Sequence, residues 1–332
     1  CYIFRPDRAG TRFIDALCER ARHGINVTMV LDAVGSANMG RAETRRLEEA
    51  GVRLQFYRAL AWHSLARFNN RTHRELLIVD GRVAFRGGAG VADWWSGEHR
   101  SEPAWRDTMV RVEGPIVSAL QGVAAENWLE CCGEILTGPE FFPESGSAGD
   151  VTAVVVRSSR ADRAPATRVA FEMLIEAARH DVVIHTPYFL PDKALRLCLI
   201  GVARRGVRIT IVVPGRRTDQ RWVRLASRRG YNSLLTAGVR ILEYRPSMTH
   251  CKMLIVDDEW AVVGTTNVDN RSFEHNDEVN LALCDRRLAA RLRSDHERDM
   301  TACDEITLAR WLARPWWEKV LGPVVWILER QQ

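Results

Sequence analysis

Residues 72–93 read THRELLIVDGRVAFRGGAGVAD, from Thr72 to Asp93, and residues 249–270 read THCKMLIVDDEWAVVGTTNVDN, from Thr249 to Asn270. The two stretches align without a gap at an offset of 177 residues, which carries His73 onto His250, Asp80 onto Asp257 and Gly87 onto Gly264. Upstream the match continues with small shifts: ARHGINVTMVLD (Ala21 to Asp32) answers ARRGVRITIVVP (Ala203 to Pro214), and EAGVRLQFY (Glu49 to Tyr57) answers TAGVRILEY (Thr236 to Tyr244). Segments repeated in the same order mark a duplicated structural unit. Each copy runs from an amphipathic helix through a glycine stop into a β-branched strand, Val27 to Leu31 or Val207 to Val213. A second helix leads to another strand. The quoted stretch then forms a hairpin in which Leu76 to Val79, or Met253 to Val256, turns through Asp-Gly or Asp-Asp. Alternating strands and helices predict an α/β fold with a largely parallel or mixed sheet between helices, present twice and packed as a pseudo-dimer.

The first copy is expected over 1–137 and the second over 151–304, joined by the Gly, Pro and Ser-rich connector GPEFFPESGSAGD at 138–150. The tail at 305–332 holds Trp311, Trp316, Trp317 and Trp326, broken by Pro315 and Pro323. It reads either as a bilayer-interfacial segment or as a helix docked on the protein's own surface.

The 332 residues are 46% hydrophobic and 27% charged, which excludes disorder, a collagen-like chain and a disulfide miniprotein. A net charge of +5 suits an anionic partner but is too small and dispersed to indicate nucleic acid, and none is expected. Of 47 basic residues only Lys193, Lys252 and Lys319 are lysine, so each lysine is worth locating. Eight cysteines without a CxxC pair or metal-ligand spacing read as reduced cytosolic thiols, with no metal site. No apolar run reaches the roughly 18 residues of a spanning helix. The chain opens without methionine inside a strand-like run, Cys1 to Phe4, and so reads as a fragment with room for a targeting or membrane segment before it.

Chemistry concentrates in the second hairpin. His250 and Lys252, two apart on a strand, share a face. They offer an imidazole that titrates near neutrality beside a fixed cation, the pairing that phosphoryl chemistry uses. Asn267 adds a neutral amide donor, and Glu278 is a candidate to fix a histidine tautomer. A lone His-x-Lys is ordinarily a surface pair. Here it is duplicated, follows an apolar strand, and employs a lysine in a chain that otherwise writes arginine.

The pattern HxKxxxxDxxxxxxGSxN resembles the HKD motif of the phospholipase D superfamily. The second copy matches at His250, Lys252, Asp257, Gly264 and Asn267, with Thr265 for the usual serine, and the first at His73, Asp80 and Gly87. The resemblance covers nearly the whole chain and is closest to bacterial cardiolipin synthases, through YIFRPDRAG near the start, WRDTMVRVEGP (Trp105 to Pro115), TPYFLPD (Thr186 to Asp192) and NDEVNL (Asn276 to Leu281).

It implies two tandem phospholipase D-like α/β/α sandwich domains sharing one active site, with one histidine from each. One histidine attacks phosphorus to form a phosphohistidine and the other is the general acid and base; spacing does not say which, and the resemblance to two-copy enzymes, in which the N-terminal one often attacks, assigns His73 as nucleophile and His250 as acid and base. Lys252, Asn267 and Thr265 bind phosphate, and Glu278 and Asp107 orient the histidines. Asp80 and Asp257 belong to the motif's catalytic set, although such aspartates are usually structural. No cofactor is implied. The substrate is a phospholipid, phosphatidylglycerol, with the second lipid open between phosphatidylglycerol and phosphatidylethanolamine, met by peripheral association with the cytoplasmic face of a bacterial cell membrane. The oligomeric state is open.

Two positions depart from the pattern. Glu75 stands where lysine is expected and Gly90 where asparagine is expected, so the first copy lacks both phosphate donors. A carboxylate aimed at the site would repel phosphate by about 4 kcal/mol at 4 Å and an effective dielectric of 20. Glu75 is then neutralised by Arg71, Arg74 or Arg106, or protonated by burial, or the protein is a weak or inactive lipid binder. Alternative activities on the same scaffold are a phospholipase D-type hydrolase and another phosphodiesterase or nuclease. Trp94 and Trp95 are expected near an apolar mouth. Trp62, His63 and His99 read as rim or surface, and His23, His180 and His185 as structural. GGAGVAD is an incomplete dinucleotide fingerprint in the wrong context.

Overall fold

The computed structural model describes residues 1–58, 70–97, 102–159 and 166–314. Trp62, His63, His99 and the tail beyond Arg314, with Trp316, Trp317 and Trp326, lie outside the described residues.

The first copy comprises α1 (Arg8–Arg22), β1 (Thr28–Asp32), α2 (Arg41–Glu49), β2 (Arg53–Tyr57), β3 (Leu76–Val79), β4 (Val83–Gly87), α3 (Asp93–Ser96), β5 (Met109–Glu113) and α4 (Ile116–Cys132). The second begins with β6 (Thr152–Ser158), α5 (Ala166–Ala177), β7 (Asp181–His185), β8 (Phe189–Leu190), α6 (Lys193–Arg204), β9 (Arg208–Pro214), α7 (Arg221–Arg228) and α8 (Tyr231–Thr236). It continues through β10 (Arg240–Tyr244), β11 (Met253–Val256), β12 (Trp260–Gly264), β13 (Val268–Asp269), α9 (Asn270–Glu274), β14 (Glu278–Cys284), α10 (Arg286–Thr301), β15 (Cys303–Glu305) and α11 (Leu308–Leu312).

The second copy holds an eight-stranded sheet in the order β15-β10-β9-β7-β11-β12-β14-β6. β7, β9 and β10 run parallel, and the remaining pairings are antiparallel, which gives the mixed sheet that the alternation of elements predicts. The first copy repeats the same pieces in smaller sheets: β1 and β2 pair in parallel, and β3-β4-β5 form an antiparallel meander. The hairpin turns require left-handed backbone, with φ of 52° at Asp80 and 53° at Asp257, a conformation that aspartate tolerates better than most residues.

The repeat also reaches a segment whose likeness is too weak to see in sequence. CYIFRPD at the start and TPYFLPD at Thr186 occupy equivalent places. The Cys1 amine donates to the Val30 carbonyl at 2.9 Å, as the Thr186 N–H donates to that of Val212 at 3.1 Å. Phe4 bridges Val91 as Phe189 pairs with Val268. Asp7 caps α1 through the Gly10 N–H, and Asp192 caps α6 through the Leu195 N–H.

The two copies meet about a pseudo-two-fold axis, as an isologous interface requires. Thr72 bridges Asp277 and, reciprocally, Thr249 bridges Arg106. At the axis the fully buried Arg86 donates to the carbonyls of Val263, its own repeat equivalent, and Val279. Apolar side chains seal the contact: Ala84, Val117 and Leu120 pack against Val279, Leu281 and Leu283. Each fully buried aliphatic side chain contributes about 1.5–3 kcal/mol. The core of the second copy runs on to Ile306 and Trp311. Trp311, one of the four tail tryptophans, is 3% exposed, with the Arg314 guanidinium 3.5 Å over its ring, so it is docked on the protein's own core. Among the described residues no helix is long and apolar enough to cross a membrane.

Candidate active site

The hairpins β3–β4 and β11–β12 lie either side of the axis, and the loops that enter them carry His73 and His250 into one cavity of about 840 Å³. Backbone bonds across the axis fix both. The His73 N–H donates to the Asp277 carbonyl at 2.8 Å, and the His250 N–H donates to that of Arg106 at 2.7 Å. The residue after each acceptor supplies a carboxylate. Glu278 Oε1 lies 3.1 Å from His73 Nδ1, and Asp107 Oδ2 lies 2.9 Å from His250 Nδ1. Each histidine is therefore held by the opposite copy. With Nδ1 turned to a carboxylate, the Nε2 atom carries the reactive lone pair.

Glu278 is fully buried. Asn276 Nδ2 donates to Glu278 Oε1 and also stands 3.4 Å from His73 Nδ1, while Tyr2 packs its ring on His73 with centroids 4.1 Å apart. On the other side Asp107 takes three donors: the His250 ring, the Trp95 Nε1–H at 3.1 Å and the Thr108 N–H at 2.8 Å. Gly88 is needed here, because a Cβ would meet Asp107 Oδ1 at 2.6 Å. Trp95 and Trp105 flank the His250 ring at 5.4 and 5.6 Å, and Trp94 stacks on Trp105 at 4.8 Å. Trp94 and Trp95 thus line the cavity, as their sequence position suggested.

Lys252, 6% exposed, sets its Nζ 2.8 Å from the His250 ring nitrogens and carbonyl. Burial lowers the pKa of its ammonium, against the pull of Asp107 and Glu278. Burial, and then the adjacent Lys252 charge, hold His250 below its ordinary pKa, against Asp107. Asn267 lines the same cavity, 4% exposed, and its Oδ1 has no hydrogen-bond partner among the described residues. Asp269, buried in the wall, caps α9, and burial pushes its pKa up to about 6.

The assignments of Thr265, Asp80 and Asp257 need correction, and the alternatives for Glu75 can be separated. Thr265 does not present its hydroxyl to a phosphate: Oγ1 donates to the Val279 carbonyl and accepts from the Val279 N–H, which fastens β12 to β14. Asp80 and Asp257 do not line the cavity. Asp80 is exposed at its turn, and the Asp257 carboxylate accepts the N–H groups of Arg179, His180 and Asp181. Burial opposes its ionisation, but those donors prevail and lower its pKa. Among the described residues no arginine forms an ion pair with Glu75: Arg71 pairs with Asp32, Arg74 with Glu126 and Arg106 with Asp299. Instead Glu75 Oε1 accepts from the backbone N–H groups of Tyr2 (2.9 Å) and Ile3 (3.4 Å), and burial raises its pKa. The same segment explains Gly90, where a Cβ would meet the Ile3 carbonyl oxygen at 2.5 Å. In the first copy, then, the Ile3 backbone occupies the room that an asparagine at position 90 would fill, and Glu75 lines the cavity as an acceptor for that same segment.

Sequence reading missed Tyr2, Trp105, Asn276 and Arg86 as contributors. Trp105 and Asn276 stand inside the recognised WRDT and NDEV stretches and so had a signal. Tyr2 likewise opens the recognised YIFRPDRAG stretch, whereas Arg86 had no signal, because the carbonyls that it binds lie 177 and 193 residues away in the chain.

The family model described as "Cardiolipin synthase, PLD-like domain" matches residues 172–300. The chain is 31% identical over 322 residues to the major cardiolipin synthase of Bacillus subtilis (strain 168), covering 96% of this chain and 67% of that protein. It is 33% identical over 312 residues to cardiolipin synthase A of Pseudomonas putida, covering 91% and 64% respectively. The chain thus spans about 60 to 67% of the length of such curated relatives. Among solved structures, phosphatidylserine synthase of Haemophilus influenzae Rd KW20 superimposes with a TM-score of 0.75 over 99% of this chain and 86% of that one, at 12% identity. Polyphosphate kinase of Porphyromonas gingivalis superimposes with a TM-score of 0.58 over 93% and 44%, at 13% identity. At such identities the shared property is the fold.

Proposed function

Because the chain belongs to the phospholipase D superfamily, as a relative of the cardiolipin synthases, we propose that it is a phosphatidyltransferase that makes cardiolipin from two molecules of phosphatidylglycerol. The observation that carries the reading is the crossed pair of histidines, each oriented by a carboxylate of the other copy and both opening on one cavity.

In the first step His73 Nε2 attacks the donor's phosphorus. The bond from phosphorus to the glycerol headgroup breaks, and His250 gives its proton to the departing oxygen. In the second step the primary hydroxyl of an acceptor phosphatidylglycerol passes its proton back to His250 and attacks the phosphohistidine. The phosphorus–nitrogen bond breaks, and cardiolipin leaves with His73 free. One histidine serves as acid and then as base. Lys252 and Asn267 supply the positive field for the phosphate oxygens.

Burial, and then the Lys252 charge, lower the pKa of His250 and favour its neutral form. An entering phosphodiester takes up the Lys252 ammonium and adds a negative charge, both of which favour the imidazolium needed as acid. Glu75 lines the same cavity, where the Tyr2 and Ile3 N–H groups hold its Oε1 and burial raises its pKa, which favours the neutral form beside a phosphate. The substrate sets the reaction at a bilayer surface, and eight free thiols fit the cytoplasmic side of a bacterial membrane.

The test uses phosphatidylglycerol vesicles with product analysis by mass spectrometry. Cardiolipin plus glycerol is expected, whereas phosphatidic acid alone would make the protein a hydrolase. With a phosphodiester whose leaving group needs no acid, His250→Ala is expected to accumulate a phosphohistidine at His73. A phosphohistidine on His250 in the His73→Ala variant would reverse the two roles.

A further inference from the structure

Lys193 and Arg196 take no part in the steps above, yet both line the cavity. They stand one turn apart on α6, and neither has an ion pair among the described residues. The neighbouring acids are already engaged. Asp192 accepts from the Leu195 N–H at 2.9 Å and from Arg168 at 2.5 Å, and Asp219 accepts from the Tyr188 hydroxyl.

Beyond them a second groove of about 510 Å³ opens, sharing Leu190, Pro191 and Arg196 with the cavity and continuing along Leu197 and Ile200. Leu197 is 54% exposed, an apolar side chain left uncovered beside the mouth. From the histidines outward the surface is therefore catalytic, then cationic, then a groove with an apolar wall of Leu190, Leu197 and Ile200 facing Arg229, Asn232 and Ser233. A phospholipid has the same order: headgroup hydroxyl, phosphate, acyl chain.

The arrangement breaks the pseudo-symmetry. By the match of CYIFRPD to TPYFLPD, the counterparts of Lys193 and Arg196 are Arg8 and Thr11, and neither lines the cavity. On the first copy's side the cavity has Arg5 instead, its guanidinium 4.7 Å over the Trp94 ring, so the two cationic flanks differ in place and surroundings and give the two substrates different seats.

We propose that Lys193 and Arg196 bind the phosphate of the acceptor lipid and that the adjoining groove takes one of its acyl chains, which directs the acceptor's glycerol hydroxyl, rather than water, to the phosphohistidine. The proposal rests on the transferase reading above. The subsite acts on partition: the intermediate is resolved by lipid or by water according to how firmly the acceptor is held.

The experiment measures product ratios in phosphatidylglycerol vesicles by mass spectrometry, for wild type, Lys193→Ala, Arg196→Ala and the double variant. A ratio within one reaction does not depend on how much protein is folded. The ratio of cardiolipin to phosphatidic acid is expected to fall about tenfold in each single variant, the loss of one charge-assisted hydrogen bond, and further in the double. Leu197→Asp is expected to lower it as well.

A second arm adds deuterated glycerol, which has the hydroxyl but neither phosphate nor chains. The ratio of labelled phosphatidylglycerol to phosphatidic acid is expected to keep its wild-type value. An unmoved cardiolipin ratio overturns the subsite, and so does an equal fall in the glycerol ratio. A wild type that yields no cardiolipin overturns the transferase reading and the subsite together, whereas one that yields it with unmoved ratios overturns the subsite alone.

Discussion

Replacing Glu75 by lysine restores the motif on paper, and the structure predicts that it harms the protein. Glu75 is 8% exposed and accepts the Tyr2 and Ile3 N–H groups at 2.9 and 3.4 Å. A lysine ammonium is a donor only, so both N–H groups lose their acceptor and face another donor. A buried donor left without a partner costs about 1–3 kcal/mol, and the shorter of these two bonds carries most of that. An unpaired buried ammonium adds to the cost, while release of the buried carboxylate offsets part of it. The net loss is about 3 kcal/mol. At roughly 2 °C per kcal/mol for a chain of this size, Tm falls by about 6 °C.

Glu75→Gln keeps the acceptor oxygen and is expected to stay within about 1 kcal/mol of wild type. The sign of its pH dependence also follows. Burial raises the folded-state pKa of Glu75, so the folded protein holds a proton that the unfolded chain releases. Stability from this group is present below the ordinary carboxyl pKa and declines as pH rises through the folded one. Glutamine removes that slope. Thermal unfolding across pH, run beside cardiolipin synthesis, reads both effects. If Glu75→Lys unfolds at the wild-type temperature and turns over faster, the glutamate is a defect at a vacant donor position and the backbone-anchor argument is wrong.

Asp107→Asn and Glu278→Gln each replace an orienting carboxylate by a neutral amide whose NH2 can face the ring nitrogen and favour the wrong tautomer, and kcat is expected to fall by about 10² to 10⁴ with little change in KM. Because each pair acts as a unit, Asp107→Asn added to His250→Ala should cost nothing further; additive losses would mean that Asp107 works elsewhere. A third prediction concerns His185 and His296, whose rings meet at 2.9 Å behind the site among Arg106, Arg293 and Asp181. Burial lowers the pKa of both, that of His296 to about 4, so their contribution is full above pH 6.5 and is lost as pH falls from there. The depression at His296 corresponds to about 3 kcal/mol, and His296→Gln is expected to flatten the decline in Tm between pH 6.5 and 5, a result that an unchanged decline would contradict.

The sequence alone determined the duplication, the mixed α/β character and the two histidines, because these are written in local patterns: a repeat at constant offset, apolar periods of two and of 3.6, and a His-x-Lys pair that strand geometry puts on one face. It also marked Glu75 and Gly90 as departures. It did not show why they are tolerated, since that depends on the Tyr2 and Ile3 backbone arriving from some 70 to 90 residues away. Nor did it show that Thr265 fastens two strands or that Asp80 and Asp257 stand outside the cavity, because motif spacing gives a position along the chain and not the direction of a side chain. Only the tertiary structure decided that Glu278 serves His73 and Asp107 serves His250, across the pseudo-axis. Periodicity says which face of an element is turned inward. The partner met there is chosen by how the two copies pack, and burial then decides which charges can be kept.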